Sequence, residues 1–349
     1  MKEVYPGIFR IIEKGALRNL KPAENIYVFA GKDGLICDAG YGNGKTVKRL
    51  VADIKEIEEL YNKQDRPFHL SRVFITHSHP DHFSGLKLLK KYLDLKVIVT
   101  KKTAGIIKNK KSFIRNHHAS AKDLMKANSS IFSRLWGGIH GIFRWFFYKP
   151  LVGLTFFKNP DKVIEENSTI SINGETWTIF PTPGHASDHV SLYNEKKGVL
   201  FAGDNILRRI TTWLGPPDSN LDDYIHTLEI YSRLPHLKII LSSHGGPILN
   251  PHERINEVLK HRLRRTNQVR AIVENRGLYG IRPDDIIKEL YPKAKLMKHE
   301  LARGWVVLTL RYLEKHNFIR SVSEKKGLKF FPQTHPSTSL NRPQENISE

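Results

Sequence analysis

Thr76-His77-Ser78-His79-Pro80-Asp81-His82-Phe83-Ser84-Gly85 is the stretch whose reading decides the fold. It follows Arg72-Val73-Phe74-Ile75, a run of β-branched and aromatic residues that reads as a short buried strand. Pro80 has no N–H to give to a ladder, so the strand stops there. Three histidines and one carboxylate fall within six residues. His77 and His79 are two apart, so an extended backbone projects both to one side. Asp81 and His82 follow on the turn and are free to point elsewhere. One loop thus offers two neighbouring sets of nitrogen and oxygen ligands, and imidazole with carboxylate suits zinc and similar first-row metals. A polar loop that is merely rich in histidine is the competing reading, and the spacing weighs against it.

Three later segments point the same way. Trp177-Thr178-Ile179-Phe180 has a strand pattern and runs into Pro181-Thr182-Pro183-Gly184-His185. Gly198-Val199-Leu200-Phe201-Ala202-Gly203-Asp204 is a buried strand with an aspartate at its end. Leu237-Lys238-Ile239-Ile240-Leu241-Ser242-Ser243-His244 is another, with a histidine at its end. Each places one ligand type just past the carboxyl end of a strand, where sites gather when strands share a sheet edge. Small residues beside each ligand let the backbone approach closely.

His77-Ser78-His79-Pro80-Asp81-His82, with His185, Asp204 and His244 downstream in that order, resembles the metallo-β-lactamase-fold hydrolases. Within them the chain is most similar to the glyoxalase II-like branch with an appended C-terminal helical domain. The resemblance covers about residues 5–100 and 161–320. It implies an α/β fold, a four-layer αβ/βα sandwich, and two divalent metal ions, usually Zn2+. By that resemblance His77, His79 and His185 would hold the first metal and Asp81, His82 and His244 the second, with Asp204 bridging.

The chemistry expected of such a site follows from charge. Two cations about 3.5–4 Å apart hold a bridging water as hydroxide near neutral pH, which attacks an electrophilic carbonyl or phosphorus. Two divalent metals set against Asp81 and Asp204 leave a positive surplus, which favours hydroxide and an anionic transition state. Asp81 is placed to orient the hydroxide as well as to ligate, and is the candidate catalytic residue. Ligating histidines need partners on their other ring nitrogen. Asp38, ending Leu35-Ile36-Cys37-Asp38, is the candidate for that role, against a simple strand-end turn residue. Asp188 and His189, just after His185, read as turn or supporting groups rather than extra ligands.

At 349 residues the chain exceeds one typical domain, which predicts one large core and a smaller domain. Its single cysteine excludes a disulfide framework, and Cys37 reads as a buried strand residue. The first residues show no apolar secretory pattern, and no segment offers about 18 uncharged apolar residues, so the default expectation is cytoplasmic. Gly40-Tyr41-Gly42-Asn43-Gly44 reads as a turn opening a helix at about 45–62; it lacks the spacing of a P-loop.

Residues 101–160 interrupt the pattern with twelve Lys/Arg against one acid and many aromatics. Ile131, Leu135, Ile139, Ile142 and Phe146 recur at helical spacing. Three readings stay open for this insertion. It packs on the core; it is a lid that binds apolar and anionic parts of a ligand; or it is a cationic segment making peripheral membrane contact. Arg208 and Arg209 follow Asp204 closely, so that segment is expected to line the cleft mouth; Arg209 is the candidate to meet an anionic substrate, against the reading of a solvated loop charge.

Residues 252–331 read as helix, helix, helix and β-hairpin, which resembles a winged helix, and 332–349, rich in Pro, Ser, Thr and Asn, as a disordered tail. That leaves 1–251 as the catalytic domain. The insertion carries +11 and residues 252–330 carry +10, so the rest of the +21 chain is neutral overall. An anionic partner is therefore expected to engage the additions. Two reactions fit: hydrolysis of a thioester, ester or lactone on an anionic, partly apolar small molecule, or a ribonuclease or phosphodiesterase holding nucleic acid on the basic additions. A non-catalytic binding protein on a retained scaffold fits the complete ligand set poorly.

Overall fold

The computed structural model describes residues 1–13, 23–118, 152–215, 218–293, 296–325 and 327–333. Seven strands form the first sheet in chain order: β1 (Lys2–Tyr5), β2 (Ile8–Glu13), β3 (Glu24–Phe29), β4 (Gly34–Cys37), β5 (Leu70–Phe74), β6 (Lys96–Thr100) and β7 (Lys162–Ile164). β1 to β4 pair antiparallel and β4 to β7 parallel. The second sheet holds β8 (Ser168–Ile172), β9 (Glu175–Pro181), β10 (Val190–Asn194), β11 (Val199–Gly203) and β12 (Ile239–Ser242), antiparallel except for β11 with β12.

Both faces of the central strands are buried, so they read as apolar runs rather than alternations. In β3, Ile26 and Val28 face one core while Tyr27 and Phe29 face another. Ile36 in β4 and Val73 in β5 join the first core, Leu35, Cys37 and Phe74 the second. The second core lies between the sheets, closed by edge-to-face pairs of Phe29 with Trp177 at 4.9 Å and Tyr27 with Phe201 at 5.3 Å. Cys37 is buried there, and burial pushes its thiol well above the usual range.

Helices cover the outer faces. α1 (Gly44–Lys63) starts at Asn43, whose side chain accepts from the Lys45 N–H, and buries Val47, Leu50, Val51, Ile54, Ile57 and Tyr61 at helical spacing. The glycine stretch before it is thus the turn into a helix. α2 (Pro80–Phe83), α3 (Leu86–Tyr92), α4 (Lys101–Ile107) and α5 (Lys110–His118) follow, with Phe83, Leu86, Leu89, Ile106, Ile107 and Phe113 in the same core as α1. α6 (Leu221–Ser232) lies over the second sheet, where Tyr231 meets Phe180 edge to face and its hydroxyl bonds Ser191. Helix, sheet, sheet, helix gives the four-layer αβ/βα sandwich expected from the sequence.

Of the insertion, Phe113, Phe156 and Phe157 pack on the first core. The stripe from Ile131 to Phe146 lies outside the described residues. Among the described residues no helix is long and apolar enough to cross a membrane.

The described residues up to Lys260 belong to one compact unit and those from His261 to another, the change falling within α7 (Pro251–Arg276). The second unit holds α8 (Pro283–Leu290), α9 (Leu296–Lys315) and the hairpin of β13 (Ile319–Glu324) with β14 (Gly327–Pro332). Its own core joins Val269, Val273, Ile286, Val306, Leu310 and Phe330. Pro283 opens α8, where its missing N–H costs nothing. Arg265 stacks its guanidinium 4.4 Å from the Trp305 ring.

The topology sets where a site can form. Parallel β4 and β5 end at one edge of the first sheet, parallel β11 and β12 at the matching edge of the second. β3 runs the other way, so its amino end joins them. Two backbone bonds stitch this edge across the sheets, Asn25 N–H to Ser243 O at 2.7 Å and Val190 N–H to Thr76 O at 3.1 Å.

Candidate metal centre

The loop after β5 is held from below by Asp38, which follows β4. One Asp38 oxygen accepts from the Thr76 N–H at 2.9 Å, and the Thr76 hydroxyl also bonds the carboxylate. Asp38 sits at φ 66°, a left-handed conformation that aspartate tolerates better than most residues. Its second oxygen lies 2.9 Å from Nδ1 of His82. The sequence candidate for a supporting carboxylate thus touches both the loop backbone and a proposed ligand.

All seven sequence candidates come together, from four segments of the chain. Asp204 is at the centre: its Oδ2 lies 3.4 Å from Nε2 of His185, 3.7 Å from Nε2 of His82 and 3.3 Å from Nε2 of His244. Nδ1 of His79 stands 2.9 Å from Nε2 of His185. The two oxygens of Asp81 lie 3.9 Å and 3.8 Å from Nε2 of His82 and His244. Donor atoms of His77, His79, His185 and Asp204 fall within 4.8 Å of one another, as do those of Glu24, Asp81, His82 and His244.

The donor set fits a pair of divalent cations. Nε2 of His77, Nε2 of His82 and Oδ1 of Asp204 are buried without a hydrogen-bond partner among the described residues. Uncompensated lone pairs in an interior are costly, and a cation would satisfy them. The opposite ring nitrogens are partnered, which aims each lone pair inward. Nδ1 of His77 meets the Thr76 hydroxyl at 3.1 Å, that of His185 the Trp213 carbonyl at 2.9 Å, and that of His244 the Ala23 carbonyl at 2.8 Å. His79 is the exception in using Nδ1 toward the centre; its Nε2 is backed by Asp218 at 3.9 Å.

Charges at the site are strongly coupled. Burial drives His77 well below the ordinary histidine value, and the neighbouring His82, His79 and His189 push the same way, so it stays neutral and able to ligate. Burial also works to lower His82, but Glu24, Asp38, Asp204 and Asp81 outweigh it and the net shift is well upward. His244 behaves alike, with Asp204 and Glu24 overcoming burial. Burial would raise Asp204, yet His244 and His82 hold it well below the usual carboxylate range.

Two carboxylates here escaped sequence reasoning. Glu24 heads β3 and is completely buried, with its oxygens 3.4 Å from Nδ1 of His82 and 3.3 Å from Nδ1 of His244. Those Nδ1 atoms already face Asp38 and the Ala23 carbonyl, and the Nε2 atoms face Asp204 and Asp81, so Glu24 stands behind the histidines rather than among the inward donors. Burial carries Glu24 well above the ordinary carboxylate value, with His82 and His244 pulling back. Asp218, in the loop before α6, also takes the Ser187 N–H at 3.2 Å.

Asp188 and His189 offer nothing to the centre directly. Asp188 accepts from the Ser78 hydroxyl at 3.1 Å and the Thr103 hydroxyl at 2.8 Å, and burial with the nearby Asp218 raises it to about 7. His189 is lowered to about 3 by burial and by His185, and its Nε2 accepts the Asp204 N–H at 3.2 Å. Arg209 is exposed on the segment after Asp204, while its neighbour Arg208 stands over Gly246.

A sandwich of this layering with this donor array defines the metallo-β-lactamase fold, and comparison agrees. Residues 22–244 match the sequence profile of the Metallo-beta-lactamase superfamily, and the chain belongs to that superfamily. It is 30% identical over 169 residues to the lactamase-like protein aptB of Emericella nidulans, covering 45% of this chain and 53% of that one. It is 26% identical over 158 residues to the β-lactamase-like protein 2 homolog of Caenorhabditis elegans, covering 45% and 51%. The chain thus spans about half the length of these relatives. An atrochrysone carboxyl ACP thioesterase of Emericella nidulans is 23% identical over 270 residues, 77% of this chain and 65% of that one. Among solved structures, a β-lactamase domain protein from Burkholderia ambifaria superposes with TM-score 0.73 at 20% identity, covering 95% of this chain and 93% of the other. A metallo-β-lactamase family protein from Thermus thermophilus gives 0.69 at 18%, covering 95% and 100%.

Proposed function

We propose that the protein is a hydrolase dependent on two divalent metals, Zn2+ first among them, that cleaves a thioester, ester or lactone of a small molecule. His77, His79 and His185 would hold one ion, Asp81, His82 and His244 the other, and Asp204 both. The observation that carries this reading is the position of Asp204 Oδ2, within 3.7 Å of Nε2 on three histidines from three segments. When bound, such a pair acidifies a water and polarises the substrate carbonyl. Thioester is the preferred bond because a relative similar over 77% of this chain is named as a thioesterase.

The chain's own residues do the rest. Asp38 and Glu24 fix the His82 and His244 rings; Asp218 and the Trp213 carbonyl fix His79 and His185. Asp81, whose side chain is 20% exposed, is open to solvent; there it orients the attacking water and takes its proton. The water oxygen bonds the carbonyl carbon, the carbon–sulfur bond breaks, and the leaving thiolate takes up the proton. We assign the chain to the glyoxalase II-like branch, with 1–251 as the catalytic domain and the helices and hairpin of 252–331 as a winged-helix-like domain. That assignment rests on the residue pattern and on the helix–helix–helix–hairpin order.

A panel of acyl thioesters, lactones and single-stranded RNA tests the proposal, run with metal-reconstituted and chelator-stripped protein. Thiol release that is lost with chelator and restored by metal is expected. Turnover of RNA with none of the thioesters or lactones would overturn it.

A further inference from the structure

Beside the metal centre stand two arginines that the hydrolysis itself does not use. Arg10, on β2, donates from Nη1 to the Gly245 carbonyl at 2.8 Å, next to His244 in the chain. Asn25 donates to the same carbonyl at 2.7 Å, so the peptide is clamped from two sides. Arg208 comes to this peptide from the segment after Asp204. A Cβ built on Gly246 would lie 2.8 Å from Nη1 of Arg208 and 3.5 Å from Nη1 of Arg10. Two guanidiniums from distant parts of the chain therefore converge on one glycine. Among the described residues neither has a carboxylate at ion-pairing distance, and Arg10 Nε is buried without a hydrogen-bond partner.

Like charges converge at a cost unless an anion joins them, and guanidinium pairs suit planar carboxylates. Ile210 and Trp213, on the same segment as Arg208, are exposed apolar residues. Gly246 is two residues from His244, so their Cα atoms are at most about 7.6 Å apart. The pair therefore stands on the peptide that follows a candidate metal ligand. An acid on the acyl group is carried near the reacting carbonyl, whereas the phosphates of a pantetheine carrier lie many bonds from its sulfur.

We infer that Arg10 and Arg208 form a subsite for a carboxylate on the acyl part of the substrate, a few carbons from the scissile carbonyl. This rests on the hydrolase reading above and narrows its substrate class to acyl groups carrying a second acid. Arg208 acts as the adaptable arm, being exposed; Arg10 is the fixed arm, held by Gly245.

The test compares glutaryl-CoA with pentanoyl-CoA, which share carrier and chain length and differ in the terminal carboxylate. The wild-type protein should prefer glutaryl-CoA in kcat/KM by roughly tenfold or more, as a charge-assisted contact requires. Arg208→Ala and Arg10→Gln should each collapse that ratio toward one, mainly through KM. No preference in the wild type, or a ratio unchanged in both variants, overturns the subsite while leaving thioester hydrolysis intact. If neither thioester is cleaved by metal-loaded protein, thioester hydrolysis fails instead. The subsite then stands or falls on calorimetric binding of glutarate: weaker in Arg208→Ala supports it, equal affinity overturns it.

Discussion

Asp38 Oδ2 lies 2.9 Å from Nδ1 of His82, with both side chains fully withdrawn from solvent. The same carboxylate holds the Thr76 N–H, so one residue sets the path of the ligand loop and the direction of one of its donors. Partners of this kind raise ligand basicity and fix ring orientation.

Replacing that carboxylate should therefore weaken metal binding without removing a ligand. Asp38→Asn is expected to cost about 10–100-fold in affinity for the ion proposed to bind at His82. Competition with a chromogenic chelator measures it, with circular dichroism to show that the variant is folded. Unchanged affinity in folded protein would sever Asp38 from the site.

Glu24 makes a sharper case, because it stands behind both His82 and His244 at 3.4 Å and 3.3 Å. Glu24→Gln keeps the volume and removes the charge. The ion proposed for Asp81, His82 and His244 should be lost first, about tenfold more easily, while the other stays. A two-step metal titration distinguishes this from a uniform loss at both positions.

The ion pairs of the metal-free centre give stability with a definite pH dependence. His82 and His244 are raised well above 6.5 in the folded chain. A group raised on folding contributes fully below its unfolded value and loses that contribution as pH climbs through its folded value. Metal-stripped protein should thus unfold at lower urea as pH rises from about 7 through the alkaline range. Metal-loaded protein should move the opposite way over neutral pH, because ligands must shed protons to bind. Urea midpoints with and without chelator across that range read both trends; parallel curves would contradict them.

Gly85 closes the ligand loop, and a Cβ there would come 2.0 Å from the Ala39 carbonyl. Backbone cannot yield as a flexible side chain does. Gly85→Ala is expected to destabilise by about 1–3 kcal/mol or more and to loosen metal, since the peptide after Asp38 would have to shift. Urea denaturation with metal content checks both effects.

Much of the centre was legible because its signals are local. His77, His79, Asp81 and His82 share one loop, and His185, Asp204 and His244 each follow a strand whose apolar run announces it. Asp38 was readable for the same reason. Glu24 was not: it begins a run, Glu24–Phe29, that is buried throughout, and only the antiparallel course of β3 brings its head to the carboxyl ends of β4 and β5. Asp218 lies far in sequence from His79, and a loop aspartate has no period to betray it. Arg208 and Arg209 are indistinguishable in sequence; the backbone direction after Asp204 decides which one stands over Gly246. In the insertion, Phe113 is buried and, with the half-buried Phe156 and Phe157, joins the core, as simple packing requires.

The central claim is most directly tested by counting metal. Elemental analysis of purified, active protein should find close to two transition-metal ions per chain, one for each donor group, and Asp204→Ala should lose most of both. Active protein containing no transition metal, or an Asp204→Ala variant that keeps both ions, would contradict the account.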